Sequence, residues 1–86
     1  MTVEIYTKAT CGFCVRAKML LDKNNITYRE IPIDSDASAR QEMIARAKGG
    51  YTVPQIFIHD KPIGGCDDLF SLHQQNQLEA LLKNTV

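Results

Sequence analysis

Two cysteines separated by two residues are the side chains best suited to chemistry in this sequence. Cys11 and Cys14 belong to the segment TCGFC at positions 10–14. Thiols at this spacing can exchange a disulfide with a partner, supply two of the four ligands of a zinc ion, or pack as an inert pair. A zinc ion would need two more ligands. Because there is no second Cys-x-x-Cys pair, the remaining candidates are Cys66 and two histidines. We therefore expect redox-active thiols and no bound metal ion.

Disulfide exchange requires a thiolate, and the local pattern offers one position for it. An ordinary thiol with a pKa of about 8.5 is only about 3% ionised near neutral pH. Cys11 follows a predicted strand and begins a predicted helix, where free N–H groups and the helix dipole favour an anion. Lys8, three residues upstream, adds a cation. Cys11 is therefore predicted to be the attacking thiolate.

The second cysteine has a different environment in the same pattern. Cys14 shares the apolar face of the predicted helix with Ala17 and Leu21, at spacings i, i+3 and i+7. We expect Cys14 to be buried and little ionised, whereas Cys11 should be exposed. This asymmetry suits a nucleophile followed by a resolving thiol.

The elements that position the pair follow from hydrophobic periodicity. Strands are predicted at 2–7, 27–33, 53–59 and 62–64, and helices at 11–24, from 34–36 up to Gly49-Gly50, and from Asp67 onward. The order β-α-β-α-β-β-α predicts an α/β fold, with a parallel, right-handed first β-α-β unit and an antiparallel final hairpin.

Local signals refine these predictions. Asp34, Ser35 and Asp36 each offer a possible cap for the second helix, and Ser38 with Gln41 also fits a capping box. Residues 60–61 are expected to form the tight turn of the hairpin, and Pro62 marks the last strand as an edge. Leu78, with residues 81 and 82, gives the final helix its apolar stripe.

Composition limits the classes of function. The 86 residues are enough for one domain, predicted to span 1–86. Ten basic residues balance ten acidic ones, so no nucleic-acid partner is expected. Apolar runs are too short to cross a membrane, and the amino terminus does not resemble a signal peptide, so a cytoplasmic location is expected. Three cysteines are too few for a disulfide framework.

Four segments together resemble the glutaredoxin family, along nearly the whole chain. They are EIYTK at 4–8, RAK at 16–18, TVPQIFI at 52–58 and IGGCDDL at 63–69, in addition to the Cys-x-x-Cys pair. The resemblance implies a thioredoxin-like fold, with a four-stranded mixed sheet flanked by three to four helices. It also implies a disulfide oxidoreductase that uses glutathione as co-substrate and acts on glutathionylated or disulfide-bonded proteins.

The resemblance also implies a glutathione site. A cis peptide bond before Pro54 would turn the backbone of Val53 toward the cysteinyl part of glutathione, although Pro54 read alone is also compatible with an ordinary strand start. Lys8, with Gln41 as a weaker second, would face the glycine carboxylate. Asp67 or Asp68, with Asp68 favoured, would face the γ-glutamyl ammonium, unless these acids only cap a helix. The implied binding residues are Lys8, Phe13, Gln41, Thr52, Val53, Pro54, Gly65, Cys66, Asp67 and Asp68.

Several alternatives stay open at this stage. The pair encloses Gly12-Phe13 where many dithiol family members have Pro-Tyr, and Gly-Phe also resembles single-cysteine relatives that bridge a [2Fe–2S] cluster between two chains. Reduction by thioredoxin reductase instead of glutathione is a second alternative. The protein is expected to be a monomer. Cys66 is compatible with packing, with glutathionylation or with pairing of two chains. No role is assigned to Tyr51.

Overall fold

The computed structural model describes residues 3–83, so Thr2 and residues 84–86 of the predictions lie outside it. The elements are β1 (Val3–Thr7), α1 (Gly12–Lys23), β2 (Arg29–Pro32), α2 (Ala37–Arg46), β3 (Gln55–Ile58), β4 (Lys61–Gly64), α3 (Cys66–Gln74) and α4 (Leu78–Lys83). No helix among these residues is long and apolar enough to cross a membrane.

The strands form one four-stranded sheet in the order β2-β1-β3-β4. β1 pairs in parallel with β2 and antiparallel with β3, and β3 pairs antiparallel with β4. The predicted mixed sheet, the parallel first pair and the antiparallel hairpin are therefore confirmed. The two central strands are buried along their whole length, as expected for strands covered on both faces. Pro62 lies in an edge strand, as predicted, and Pro32 lies in the opposite edge strand β2.

Helices cover both faces of the sheet because successive strand residues point to opposite sides. Ile5 contributes to a buried cluster with Leu21 of α1 and Leu69 of α3. The next residue, Tyr6, contributes to a second cluster with Met43 of α2 and other apolar side chains. The active-site helix α1 thus packs on one face, and α2 packs on the other.

The ends of α2 agree only in part with the sequence predictions. Of the possible caps, Asp36 is confirmed, because its Oδ1 accepts the N–H of Ala39 at 3.0 Å, and the capping box of Ser38 and Gln41 is wrong. The helix ends at Arg46, before Gly49-Gly50. Lys48 takes the left-handed conformation (φ 56°), and the N–H of Gly49 returns to the carbonyl of Ile44 at 2.9 Å. A lysine therefore occupies the position that glycine usually takes.

Two further predictions change near the end of the chain. The hairpin turn lies at His59-Asp60, one residue earlier than predicted, and both residues have positive φ (52° and 66°). Lys61 is already the first residue of β4. The single helix predicted from Asp67 onward is two helices, because the chain leaves the helix after Gln74 and Asn76 adopts a φ of 59°.

Candidate active site

Cys11 stands at the N-cap of α1, between the end of β1 and the first helical turn. Its backbone is extended (φ −117°, ψ 108°), and its Sγ accepts the N–H of Cys14 at 3.1 Å. Cys11 is half-buried, whereas the sequence predicted full exposure. The sulfur thus occupies the place of an N-cap oxygen, where helix N–H groups favour negative charge.

Cys14 is buried, with 1% of its surface exposed, as predicted. Burial raises the pKa of its thiol to about 12, and the hydrogen bond with Cys11 acts in the same direction. A backbone hydrogen bond from Lys8 and the charge of Lys18 lower this pKa in part. Cys14 is therefore held as a neutral thiol near neutral pH, next to the half-buried Cys11.

A second segment, which precedes β3, lies next to Cys11. The Val53–Pro54 peptide bond is cis, as the family resemblance implied. The Sγ of Cys11 donates to the carbonyl oxygen of Val53 at 3.7 Å. Pro54 is buried. Thr52, two residues earlier, is exposed, and its hydroxyl accepts a hydrogen bond from the side chain of Gln55 at 3.4 Å.

A third segment, between β4 and α3, lies beside the second one. A Cβ on Gly65 would stand 3.4 Å from the carbonyl oxygen of Pro54, which shows how close the two backbones run. Gly64 has a φ of +114°, and a Cβ there would overlap the carboxylate of Asp68. The Oδ2 of Asp68 accepts the N–H of Gly65 at 3.0 Å, so this carboxylate caps α3. Asp67 is exposed in the first turn of α3.

Cys66 begins α3 and faces the interior. It is 7% exposed and belongs to the buried cluster beneath α1 and α3. Burial raises the pKa of its thiol, the carboxylate of Asp67 raises it further, and the charge of Arg16 opposes them. This environment favours the packing interpretation over the pairing of two chains, which would need an exposed sulfur.

The remaining predicted site residues lie at the surface. Lys8 and Phe13 are exposed on either side of Cys11 in the chain, and 55% of the surface of Phe13 is accessible. Gln41 is an exposed side chain of α2, on the opposite face of the sheet from α1. Cys11 contacts Cys14 and Val53 directly, whereas Gln41 belongs to the helix on the other face of the sheet.

Sequence analysis missed two polar contacts that hold the site. The Oδ2 of Asp34 accepts the N–H of Ala9 at 3.0 Å, which ties down the loop before Cys11. The carboxylate of Glu30 accepts from the hydroxyl of Thr7 at 2.7 Å and pairs with Lys18 at 2.9 Å.

All three cysteines are free thiols, and within residues 3–83 no cluster of three or more metal-ligating side chains occurs. A half-buried sulfur at a helix N-cap, a buried second thiol three residues later, and a cis-proline segment facing the first sulfur define the site. On this sheet and helix arrangement, they are the features of a thiol–disulfide oxidoreductase with a thioredoxin-like fold.

Comparisons with known proteins identify the family. The family model described as glutaredoxin matches residues 3–63. Glutaredoxin 3 of Escherichia coli strain K12 is 54% identical over 81 residues, covering 94% of this chain and 96% of that protein. The chain therefore belongs to the glutaredoxin family.

Solved structures of this family have the same fold. The holo form of glutaredoxin C1 from Populus tremula x tremuloides has a TM-score of 0.85 at 37% identity, covering 95% of this chain and 83% of that one. A buckwheat glutaredoxin–glutathione complex has a TM-score of 0.81 at 35% identity, covering 93% of this chain and 74% of that one.

Proposed function

We propose that this chain is a glutathione-dependent oxidoreductase that reduces protein–glutathione mixed disulfides and protein disulfides. The observation that carries the proposal is the position of the Cys11 sulfur. It accepts a helix N–H at 3.1 Å and lies 3.7 Å from the carbonyl oxygen of Val53. An attacking sulfur needs stabilisation as an anion and an open side from which a disulfide can approach, and an N-cap at the surface meets both needs.

The one-thiol route uses Cys11 alone. Its thiolate attacks the glutathione sulfur of a mixed disulfide, the new bond joins Cys11 to glutathione, and the protein thiolate leaves and takes up a proton. A second glutathione thiolate then attacks the adduct, which releases oxidised glutathione and restores Cys11. The two-electron balance is complete: one disulfide is reduced and one is formed.

The two-thiol route adds Cys14. After Cys11 has formed a mixed disulfide with a protein substrate, Cys14 loses its proton and attacks the Cys11 sulfur. The Cys11–Cys14 disulfide forms, and the substrate leaves as a thiolate that takes up a proton. Two glutathiones later reduce this disulfide. The Sγ of Cys11 accepts the N–H of Cys14 at 3.1 Å, which keeps the attacked sulfur beside the residue that carries the resolving thiol.

Glutathione is proposed to lie across the three converging segments. The backbone of Val53 pairs with its cysteinyl part, Lys8 attracts its glycine carboxylate, and the start of α3 receives its γ-glutamyl end. Asp67 and Asp68 are both exposed in the first turn of α3, and one oxygen of Asp68 caps that helix. The resemblance favoured Asp68 for the ammonium group. Because its Oδ2 is engaged by the N–H of Gly65, Asp67 is proposed as the contact instead, with Asp68 shaping the backbone around it. Phe13 and Thr52 border the groove, Cys66 packs beneath it, and Gln41 is the weakest member of the predicted set.

A comparison of cysteine variants tests this proposal. Deglutathionylation should disappear in Cys11→Ser and persist in Cys14→Ser, while reduction of a protein disulfide should require both cysteines. Cys66→Ala serves as the matched control because it removes a thiol outside the pair. The assay is repeated with thioredoxin reductase and NADPH in place of glutathione. Activity in Cys11→Ser, or a preference for the reductase, would overturn the proposal.

The proposed working unit is a single domain of 86 residues, acting as a monomer in the cytoplasm. The contact between Cys11 and Val53 supports a monomer because both sides of the groove come from one chain. Sedimentation of the reduced protein with and without glutathione tests it, and a stable dimer under both conditions would contradict it.

A further inference from the structure

Lys18 follows the cysteine pair on α1 and makes a polar contact that has no part in the proposed reaction. It occupies the position four residues after Cys14 on α1, so both side chains share one side of the helix. Its Nζ is 2.9 Å from the Oε2 of Glu30, and the same oxygen accepts the hydroxyl of Thr7 at 2.7 Å. Thr7 is 1% exposed and stands in β1 directly before Lys8.

Three elements therefore fix one ammonium group on the side of α1 that carries the buried thiol. Thr7 and Glu30 come from the neighbouring strands β1 and β2, and Lys18 comes from α1. The ion pair raises the pKa of Lys18 and lowers the pKa of Glu30, so both groups stay charged over the range in which thiols react. The side chain of Lys18 is 28% exposed, which leaves its charge partly screened by water.

The geometry points to Lys18 as a positioning residue for the resolving step, holding a positive charge beside Cys14 while that thiol becomes an anion. The inference rests on the proposed two-thiol route. Cys14 must lose its proton inside the protein, where burial opposes charge. The proton of Cys14 passes to solvent, and the substrate thiolate takes up a proton from solvent as it leaves. Lys18 neither gains nor loses a proton, because it acts through its fixed charge.

The charged and titratable groups around this thiol are few. Cys11 faces it from the start of the helix, Lys18 from the next turn, and Lys8 through its backbone. Tyr28 and Glu30 face Lys18 from the side of β2. Once Cys11 is in a mixed disulfide its charge no longer opposes ionisation of Cys14, while the charge of Lys18 continues to favour it.

The test separates the two chemical steps with 2,2′-dithiodipyridine, an uncharged disulfide whose leaving group absorbs light. Cys11 attacks the probe and releases the first thiopyridone. Cys14 then attacks the Cys11 adduct, forms the intramolecular disulfide and releases the second. Both releases are followed by stopped flow across the neutral and alkaline range, in a Cys66→Ala background that removes the third thiol.

We expect Lys18→Met to slow the second release about two- to threefold. The variant has less Cys14 thiolate, but a more basic thiolate is a stronger nucleophile, and this offsets part of the loss. The plot of its rate against pH should be displaced to higher pH. Lys18→Arg should restore the rate. Lys23→Met, which removes an exposed lysine from the same helix, is the matched control and should leave both releases unchanged.

A salt series on the chain with both cysteines and Lys18 intact, and on Lys18→Met, gives a second readout. The second release should slow as salt screens Lys18, and this dependence should be weaker in Lys18→Met. Equal second-release rates and equal salt dependence in the two proteins would overturn the inference. A first release that does not depend on Cys11 would instead overturn the proposed function, so the two failures are distinguishable.

Discussion

At the scale of single residues, the site depends on two sulfurs in unlike surroundings and on two glycines that let backbones approach. Cys11 lies at a helix N-cap near the surface, and Cys14 is buried one turn further on. Gly64 has a positive φ beneath the carboxylate of Asp68, and Gly65 runs close to the carbonyl of Pro54. Small changes at these four positions act directly on the proposed glutathione groove.

Gly64→Ala should destabilise the protein by about 1–3 kcal/mol, measured by urea unfolding. The φ of +114° is unfavourable for alanine, and its Cβ would overlap the carboxylate of Asp68. Gly12→Ala is the control, because a Cβ on Gly12 meets nothing within 4 Å and alanine favours the helix. Equal effects of the two substitutions would contradict the prediction.

At the scale of elements, helix ends and one buried ion pair fix how α2 sits on the sheet. The Nη2 of Arg46 is 2.6 Å from the Oε1 of Glu4, and its guanidinium carbon lies 4.2 Å from the centre of the Phe57 ring. Its Nη1 donates to the hydroxyl of Tyr6 at 2.8 Å, and that hydroxyl donates to Glu42 at 2.6 Å. The last turn of α2 is thereby joined to both central strands.

Arg46→Met should cost about 2–4 kcal/mol of unfolding free energy, because it leaves the carboxylate of Glu4 buried without its nearest cation. Arg29→Met is the matched control. Arg29 also pairs with Glu4, at 3.5 Å, but its side chain is 74% exposed, so its loss should cost less than about 1 kcal/mol. Thermal or urea unfolding measures both, and a larger effect at Arg29 would refute the assignment.

Lys48→Gly should stabilise the protein by about 0.5–1 kcal/mol, because the left-handed conformation at the end of α2 costs a lysine energy that glycine avoids. Lys48→Ala removes the same charge but keeps the unfavourable φ. It should give no comparable gain, so urea midpoints of the two variants separate backbone strain from charge.

At the scale of the whole molecule, strands and helices could be predicted from local patterns of apolar residues. Contacts between residues far apart in the sequence could not. The apolar runs placed the strands, and their order predicted the parallel first pair and the antiparallel hairpin, whereas the four-stranded mixed sheet was implied by the family resemblance. The hairpin turn was misplaced because His59-Asp60 lacks the asparagine and glycine that usually mark such turns. The pair of Lys18 and Glu30 was missed because twelve residues separate them and only folding brings them together.

The buried acids should set an alkaline limit to stability. Burial raises the pKa of Cys14, Cys66, Tyr6 and Tyr28. For Cys14, the native state holds its proton more tightly than the unfolded state, so its contribution is intact below the usual thiol pKa near 9. It is lost as pH rises toward the native value of about 12.

The free energy of unfolding should therefore fall above about pH 9, and Cys14→Ala should show a shallower fall over the same range. Urea unfolding at a series of pH values measures the difference. Parallel curves for the two proteins would show that Cys14 titrates alike in the native and unfolded states.

The two outer strands of the sheet have a consequence for behaviour at high concentration. β2 and β4 are each four residues long, and each contains a proline, which has no N–H to donate. A neighbouring molecule that tried to extend the sheet at either border would find a short and interrupted row of partners. The margins of the sheet thus offer few partners for fibrillar association, even where many copies of the chain are crowded together.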